Sequence, residues 1–525
     1  MLISALHYLK LNHCRFFARA FLLSITTLLT CQTASAVTLK MAFDADPVSL
    51  DPHEQLSEGT LQFSHMVFDP LVRWKQNGQI EPRLATHWKQ ITPTTTRFFL
   101  RKNVHFQTGN VFTAEDVAYT IRRLKRSPDF RAMFDAIRSV VVINKYTVDI
   151  RSTNTNPLLL NIMTYVFPMD KVFYQGRDEI IKFGNSFASQ RVSGTGPFIV
   201  QEREPGVRMV LTRNKDYWDT KSKGNVDKII LTPIKTDSTR LAALLSGDVD
   251  FIFPVSPIDI ERTKNSKGIK IITLPTGRIL LLHLNEKRRS EFRDVRVRRA
   301  INLAINQQLI VEKILRGYAI PAGQLSASKF LGHVDSIKPE YNLPKALELM
   351  KQAGYEKGFR VSMMAPNNRY MNDDKVAQAI AAMLGRIHIT VDLKTLPKAQ
   401  YFQQYDERAA DIMMLGWQSD TEDSNNLFEF IIACQDAKSG LGAYNASEYC
   451  APSINEDIKL ANREMNPEKR ARIMQQVEIK LHNDAAIVPL YWQYNTWAAK
   501  NNLHIESIVN DQNYPFLGDL VIDEK

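Results

Sequence analysis

The length, composition and charge of the chain restrict the classes of protein to which it can belong. Its 525 residues exceed what one ordinary hydrophobic core supports, and a content of 44% hydrophobic and 23% charged residues is globular, which argues against a disordered chain. The formal net charge of +11 is a mild excess, and its lysines and arginines are spread without a basic stripe carrying interleaved aromatics, so we expect no nucleic-acid partner.

Residues 1–36 have the organisation of a secretory signal peptide. Basic residues without an acidic one precede an apolar run over 20–29, and Ala34-Ser35-Ala36 places small residues at the two positions that a signal peptidase reads. The apolar run is shorter than the ~20 residues that span a bilayer, so we expect cleavage after Ala36 and export to the periplasm rather than a retained anchor. Lipid attachment at Cys31 is the less favoured alternative, because Thr30 is unusual before a lipoprotein cysteine.

Helices and strands are predicted to alternate along the chain, which is typical of a mixed α/β protein. Helix starts and apolar faces of helical spacing predict helices over 113–124, 295–317 with a restart at Asn306, 342–354, 375–386 and 469–482. Apolar and β-branched runs predict strands over 97–100, 141–150 with a turn near 144–145, 389–393, 411–417 and 487–491. No low-complexity linker separates these elements, as expected where domains are discontinuous.

Two of the four cysteines, Cys434 and Cys450, remain after the predicted export. An even pair in an oxidising compartment favours a disulfide, and the bridge would close a loop of about 15 residues and stabilise the fold by roughly 3 kcal/mol. Two free buried thiols are the alternative.

A series of short motifs identifies the chain as a relative of a known family. The motifs lie at 68–71, 81–88, 99–106, 113–117, 194–198 (Gly-Thr-Gly-Pro-Phe), 213–218, 247–250, 294–300, 353–355 and 488–491. Taken in this order they resemble those of the family 5 solute-binding proteins of ABC transporters, the dipeptide- and oligopeptide-binding group, over nearly the whole exported chain.

The resemblance implies a two-lobed α/β fold of the periplasmic-binding-protein type II class, with a third inserted domain and lobes hinged to close on a ligand. By similarity, lobe one covers 37–80, 190–278 and 498–525, the inserted domain covers 81–189, and lobe two covers 279–497. The resemblance also implies a short peptide as ligand, a membrane permease and an ATPase as partners, a monomeric receptor, and no cofactor or metal.

A receptor for peptides needs a carboxylate for the amine and, if it selects length, a guanidinium for the carboxylate, because Arg can bind a carboxylate through two hydrogen bonds. Asp420 follows the apolar run that ends in Gly416-Trp417, and it matches the family position whose acid binds the peptide amine. Asp423 is the nearest substitute. The alternative is a solvated acid in a loop cluster with Glu422 and Asp423.

Arg369 is the candidate for the ligand carboxylate, because the segment 369–373 resembles the arginine-containing segment of the dipeptide binders. Its alternative role is a salt bridge to Asp373 or Asp374 at a helix start. Trp417 is expected to form an apolar wall of the cleft, since ligand pockets favour aromatic side chains, with core packing as the alternative.

Two other functions are alternatives to peptide capture. The first is a receptor of the same family for a nickel chelate, haem or a cell-wall peptide. The second is a secreted hydrolase, but the sequence has no G-x-S-x-G, H-E-x-x-H or P-loop motif, and no histidine pair at i,i+4 spacing after residue 36. We therefore expect a receptor and not an enzyme.

Overall fold

The computed structural model describes residues 36–76 and 78–523. The predicted signal peptide, apart from Ala36, and the alternative lipid-attachment site at Cys31 lie outside the described residues. The chain from Thr38 onward forms one compact unit, which contains every helix and strand reported below. Within the described part of the chain, each helix is too short or too polar to cross a lipid bilayer.

The strands form one large sheet and two small ones. They are β1 Thr38–Phe43, β2 Val72–Trp74, β3 Ile80–Pro82, β4 Ala85–Thr92, β5 Thr95–Leu100, β6 Ile137–Asn144, β7 Thr147–Ser152, β8 Phe198–Glu204, β9 Arg208–Arg213, β10 Lys228–Leu231, β11 Phe251–Phe253, β12 Ile269–Leu284, β13 Ala319–Pro321, β14 Arg360–Pro366, β15 Thr390–Leu396, β16 Ile412–Trp417 and β17 Val488–Lys500. The large sheet has the order β15-β14-β16-β12-β17-β11-β1-β10-β9-β8, and β13 joins it through β17. Strands β4-β5-β7-β6 form a separate antiparallel sheet inside the segment predicted to be an inserted domain.

The α-helices connect these strands. They are α1 Glu58–Val67, α2 Ala114–Leu124, α3 Arg131–Phe134, α4 Leu159–Ile162, α5 Lys171–Tyr174, α6 Phe187–Gln190, α7 Asp237–Ser246, α8 Ile260–Lys264, α9 Val295–Ala304, α10 Gln307–Lys313, α11 Leu343–Gln352, α12 Asp373–Gly385, α13 Lys398–Asp406, α14 Ser424–Leu427, α15 Pro452–Ala461 and α16 Pro467–Asp484. The predicted helix starts are confirmed by their caps. Asp116 accepts from the Thr113 N–H at 2.8 Å, and Asn306 accepts from the Leu309 N–H at 2.9 Å, so each satisfies a backbone donor that the helix leaves free.

The longest strand was not predicted. β12 runs for 16 residues beside β17, although Pro275 and Gly277 lie within it. The two strands shift register between Pro275 and Ile279, and this irregularity accommodates the proline in an otherwise continuous ladder. The predicted crossings between the lobes, near 278 and 498, both fall within this strand pair, and the domain boundaries remain a prediction.

Alternation along β12 divides its side chains between two hydrophobic clusters. Leu280, Leu282 and Leu284 pack with α9, α11 and α12, whereas Ile279 and Leu281 face the opposite cluster. Successive side chains of a strand point to opposite faces, so one apolar run supplies both layers. Each fully buried leucine or isoleucine contributes about 1.5–3 kcal/mol, which anchors the sheet beside the neighbouring strand β16.

Motif 194–198 fixes helix α1. The Gly196 N–H donates to the Val67 carbonyl at 2.9 Å, and a Cβ built on Gly194 or Gly196 would lie 2.0 or 2.4 Å from the Val67 backbone. Only glycine allows this approach at the C-terminal end of α1. The contact sets the direction in which the other end of the helix, at Glu58, is presented.

The structure joins Cys434 and Cys450 by a disulfide bond. The bridge encloses the loop between the short π-helical turn Phe428–Ile432 and α15. Aromatic residues from this part of the chain pack against Trp417 at the end of β16, so the closed loop lies behind the site described next.

Candidate functional site

A cavity of about 440 Å³ lies where several chain segments converge. It is lined by the start of α1, the loop before α12, the start of α13, the end of β16, and single residues such as Tyr444 and Tyr514. The volume is within the range of sites for small molecules. Segments from all three of the predicted domains contribute to the lining, as a cleft between lobes requires.

Asp420 lies in this cavity lining and is only 5% exposed. Its Oδ1 accepts a hydrogen bond from the Tyr165 hydroxyl at 3.2 Å, while its buried Oδ2 has no hydrogen-bond partner among the described residues. Burial raises the pKa of Asp420 to about 8, against the opposing effects of the Tyr165 hydrogen bond and the charge of Arg278. The group is therefore a buried acid that has no direct ion pair among the described residues and would gain from a cation.

Further acceptors without donors lie beside Asp420. Gln418 lines the cavity and its buried Oε1 has no partner among the described residues. The hydroxyl of Thr421, next to Asp420 in the chain but outside the cavity lining, also has none. A buried acceptor left without a donor costs about 1–3 kcal/mol. An ammonium group carries three N–H donors and one positive charge, which matches what this end of the cavity lacks.

Trp417 both lines the cavity and packs in the core. It is 6% exposed, stacks on Phe430 with ring centroids 5.1 Å apart, and contacts Tyr444 at 4.6 Å. Its Nε1 donates to the Asn426 Oδ1 at 3.0 Å, which also accepts from the Asp420 N–H at 3.1 Å. Asn426 thus ties the tryptophan wall to the backbone of Asp420.

Arg369 lines the cavity, but its guanidinium already forms an ion pair. Its Nη1 lies 2.7 Å from Oε2 of Glu58, and the Nη2 of Arg278 lies 3.3 Å from the same oxygen. Burial alone would raise the pKa of Glu58, but the two guanidinium groups outweigh it and lower that pKa to about 2. At the helix start, Asp373 accepts from the backbone N–H groups of Arg369 and Tyr370, not from the guanidinium.

Asp423 does not line the cavity. Its Oδ1 lies 2.8 Å from Nη2 of Arg470, its Oδ2 bonds Nη1 of the same guanidinium, and Oδ1 also accepts from the Asn425 N–H at 2.8 Å to begin α14. Asp423 is 5% exposed and Glu422 is ion-paired to Lys329, so the cluster is not a solvated loop. The structure brings Asp420, Arg369 and Trp417 together around one cavity and places Asp423 behind it.

The edge of β16 beside the cavity is occupied by tyrosine hydroxyls. The Tyr370 hydroxyl accepts from the Gly416 N–H at 2.8 Å and lies 3.2 Å from the Gly416 carbonyl, and Tyr401 donates to the Met414 carbonyl at 2.5 Å. A ligand main chain would have to displace these hydroxyls to pair with the same groups. At this edge of β16 the cavity therefore offers a ligand side chains, because the backbone groups of the strand are already hydrogen-bonded to tyrosines.

Sequence reasoning missed four residues that the structure places at the site: Glu58, Tyr165, Arg278 and Lys398. Each comes from a different segment, and Glu58 alone carries a local pattern, an acid in the first turn of a helix, which is also typical of solvated helix starts. Lys398 begins α13, lines the cavity, and forms no ion pair or hydrogen bond through its ammonium with another described residue.

Known proteins resemble this chain in sequence over most of its length. The family model for bacterial extracellular solute-binding proteins, family 5 Middle, matches residues 79–439. The dipeptide-binding protein of Escherichia coli (strain K12) is 24% identical over 493 residues, which cover 88% of this chain and 90% of the relative. Heme-binding protein A of Haemophilus influenzae is 25% identical over 455 residues, covering 81% and 82%.

Solved structures show the same fold. The periplasmic binding protein DppA of Helicobacter pylori, in complex with the peptide STSA, superposes with a TM-score of 0.84 at 24% identity, over 93% of this chain and 99% of that one. The dipeptide-binding protein of Pseudoalteromonas sp. SM9913, in complex with Met-Leu, gives a TM-score of 0.85 at 21% identity over 93% and 100%. The predicted two-lobed α/β fold of the type II class is confirmed, and the chain belongs to the bacterial extracellular solute-binding proteins of family 5.

Proposed function

We propose that this protein is the extracytoplasmic receptor of an ABC importer, which captures short peptides in the cavity at Asp420 and delivers them to a membrane permease driven by an ATPase. The observation that carries the proposal is Asp420, which lines the cavity and whose buried Oδ2 has no hydrogen-bond partner among the described residues. Relatives named as dipeptide-, murein-peptide- and glutathione-binding proteins support it.

The chemistry of the proposed contact follows from the surroundings of Asp420. An incoming α-ammonium would donate to Asp420 and to the Gln418 Oε1, and it would supply the direct ion pair that Asp420 lacks among the described residues. Charge-assisted hydrogen bonds are about twice as strong as neutral ones. Trp417 would form the apolar wall beside the first residue of the peptide, and Asn426 would hold both residues in place.

The wider biology is part of the same proposal. The protein is exported after cleavage following Ala36, acts in the periplasm as a monomer, and binds its ligand without converting it. Intact mass of the exported protein tests the cleavage, since a retained or lipid-bearing N-terminus at Cys31 has a different mass. Incubation with mixed peptides tests the absence of catalysis, because a receptor returns them intact and a hydrolase shortens them.

Titration calorimetry with alanine peptides of two to five residues, each with and without an N-terminal acetyl group, tests the peptide claim. The free-amine forms should bind, and acetylation should weaken binding about tenfold to a hundredfold, since a hydrogen bond to a charged partner contributes about 1.5–3 kcal/mol. Equal binding of the acetylated forms would refute the role of Asp420. Native mass spectrometry of the freshly purified protein would reveal haem, a nickel chelate or a cell-wall peptide by its mass.

A further inference from the structure

We propose that Lys398, and not Arg369, receives the carboxylate of the ligand and thereby selects ligands that carry an ammonium and an anionic group at a fixed separation. This inference rests on the proposed function, since it assigns the second end of a ligand whose ammonium lies at Asp420. Under this proposal Lys398, and not Arg369, sets the length of the peptide.

The first step is that Arg369 is already engaged in an ion pair through its Nη1. Glu58 already receives Arg369 at 2.7 Å and Arg278 at 3.3 Å, and Asn513 bonds the other oxygen of the same carboxylate. Glu58 and Arg278 are each less than 10% exposed on their side chains. A ligand carboxylate that took Arg369 away from Glu58 would break one buried ion pair and leave Glu58 with Arg278 and Asn513 as its partners, whereas a carboxylate bound by Lys398 would break no ion pair recorded among the described residues.

The second step is the position of Lys398. Its backbone N–H donates to the Asn368 Oδ1 at 2.7 Å, which ties the start of α13 to the loop that carries Arg369. Its side chain is half-buried in the cavity lining. Among the described residues its ammonium has no hydrogen bond, and its electrostatic neighbours are repulsive Arg369 and Arg278 and attractive Asp44 and Glu58.

The third step is the charge balance of this end of the cavity. Arg369 and Arg278 repel the charge of Lys398 while Asp44 and Glu58 attract it, so these five groups together carry an excess of positive charge when both acids are ionised. Burial and the nearby charge of Arg369 lower the pKa of Lys398 to about 8. An anion arriving beside the ammonium would offset both effects, whereas a neutral group would offset neither.

The two ends of the cavity are then electrically opposite. Among the described residues, Asp420 has no direct ion pair with a cation, and Lys398 has no direct ion pair with an acid, although Asp44 and Glu58 attract its charge. Arg278 also lines the cavity and acts electrostatically on both groups. A zwitterionic ligand that lies along the cavity would satisfy both ends, and the substrate class is therefore a short peptide with a free carboxyl terminus.

The test compares Lys398→Met with Lys394→Met, a matched control on the neighbouring strand β15 that is exposed and outside the cavity lining. Alanine peptides of two to five residues are titrated as free acids and as C-terminal amides. In the wild type and in K394M, the best free acid should bind about tenfold to a hundredfold more tightly than its amide. In K398M this ratio should fall to within about threefold, while the affinity for the amide is unchanged.

The outcomes separate the two proposals. A full preference for the acid in K398M, or no preference in the wild type, would overturn the role of Lys398 while leaving peptide capture intact. If no peptide with a free amine binds to the wild type, the proposed function fails and the assignment of Lys398 falls with it. Equal thermal denaturation midpoints for the wild type, K394M and K398M establish that all three proteins are folded.

Discussion

Asp420 and Asp423 lie three positions apart and are each 5% exposed, yet their surroundings differ completely. Both oxygens of Asp423 face the guanidinium of Arg470, and Asp423 also caps α14. Asp420 has one hydroxyl donor, from Tyr165, and one oxygen without a partner in the described chain. Burial is therefore common to a structural acid and a candidate binding acid, and the missing counter-ion distinguishes them.

The difference has an energetic meaning. A buried carboxylate with a cation is stabilised in its ionised form, and one without a cation is driven toward its neutral form. The raised pKa of Asp420 is the consequence, because burial is its largest cause. The protein holds this group in an unfavourable environment, which a ligand can relieve, whereas the environment of Asp423 leaves nothing for a ligand to improve.

The largest effect is expected at Asp423, where substitution should lower the free energy of unfolding. Asp423→Ala would leave the Arg470 guanidinium, 3% exposed, without its carboxylate, and loss of one member of a buried ion pair costs about 3–5 kcal/mol. Chemical denaturation measures this loss. Peptide affinity of the folded protein should stay near the wild-type value.

Asp423→Ala combined with Arg470→Met is the control, because the double variant removes both charges. It should recover part of the lost stability, since no uncompensated charge remains buried. A double variant as unstable as the sum of the two single changes would mean that Asp423 acts through its helix cap and not through the ion pair.

At Asp420 the effect should be on binding and not on stability. Asp420→Asn keeps the shape but removes the charge, so affinity for a free-amine peptide should fall by about 2 kcal/mol, or about thirtyfold. Folded stability should be kept or increased, because burial already disfavours the ionised form. Calorimetry and thermal denaturation measure the two quantities, and unchanged affinity would remove Asp420 from the site.

The sequence predicts the fold much better than it predicts the site. Motif residues Asp69, Arg83, Thr195, Tyr217 and Trp218 meet in one network, in which Asp69 accepts from Tyr217 and Trp218 at 2.8 Å, Thr195 at 3.1 Å and Arg83 at 3.2 Å. None of these five residues lines the cavity. The motifs thus identify a scaffold, and they are silent on what the scaffold binds.

The site depends on pairings that no local pattern reveals. The strand end at Trp417 and the acid after it were predictable, because β16 ends where its apolar run ends. The partnership of Arg369 with Glu58 joins residues 311 positions apart, and Tyr165 reaches Asp420 across 255. Which acid retains a free oxygen is decided by such long-range contacts, so the sequence ranks Asp420 above Asp423 by resemblance alone, and the contacts that distinguish them come from the fold.

Binding of the ligand should release a proton from Asp420, and this release further distinguishes Asp420 from Asp423. Because the pKa of Asp420 is about 8, the free protein holds a proton there at pH 5–7, and binding of an ammonium requires the ionised form. Affinity should therefore rise about tenfold, or about 1.4 kcal/mol, per pH unit from pH 5 to 7, with release of about one proton. Calorimetry in two buffers with different ionisation enthalpies counts the proton.

Two variants identify the source of this proton. Asp420→Asn should abolish the release, whereas Glu422→Gln tests the neighbouring acid, whose pKa burial raises to about 7 against the charge of Lys329. The sign for folding is opposite to that for binding. The folded pKa of Asp420 lies above the ordinary value of 3.8, so its contribution to stability declines as the pH rises from about 4 to 8, and D420N should lack this decline.

The smallest effect is expected at Tyr165, which supplies the one hydroxyl donor that Asp420 has. Tyr165→Phe removes a hydrogen bond that favours the ionised carboxylate, so the pKa of Asp420 should rise further and affinity at pH 7 should fall about fivefold, or about 1 kcal/mol. The loss should shrink at pH 9, where Asp420 is ionised in both proteins. Tyr174→Phe is the matched control, since that buried hydroxyl bonds Arg191 and Ser193 outside the cavity. A loss that did not depend on pH would mean that Tyr165 contacts the ligand directly. The ligand would then be held by Tyr165 as well as by Asp420.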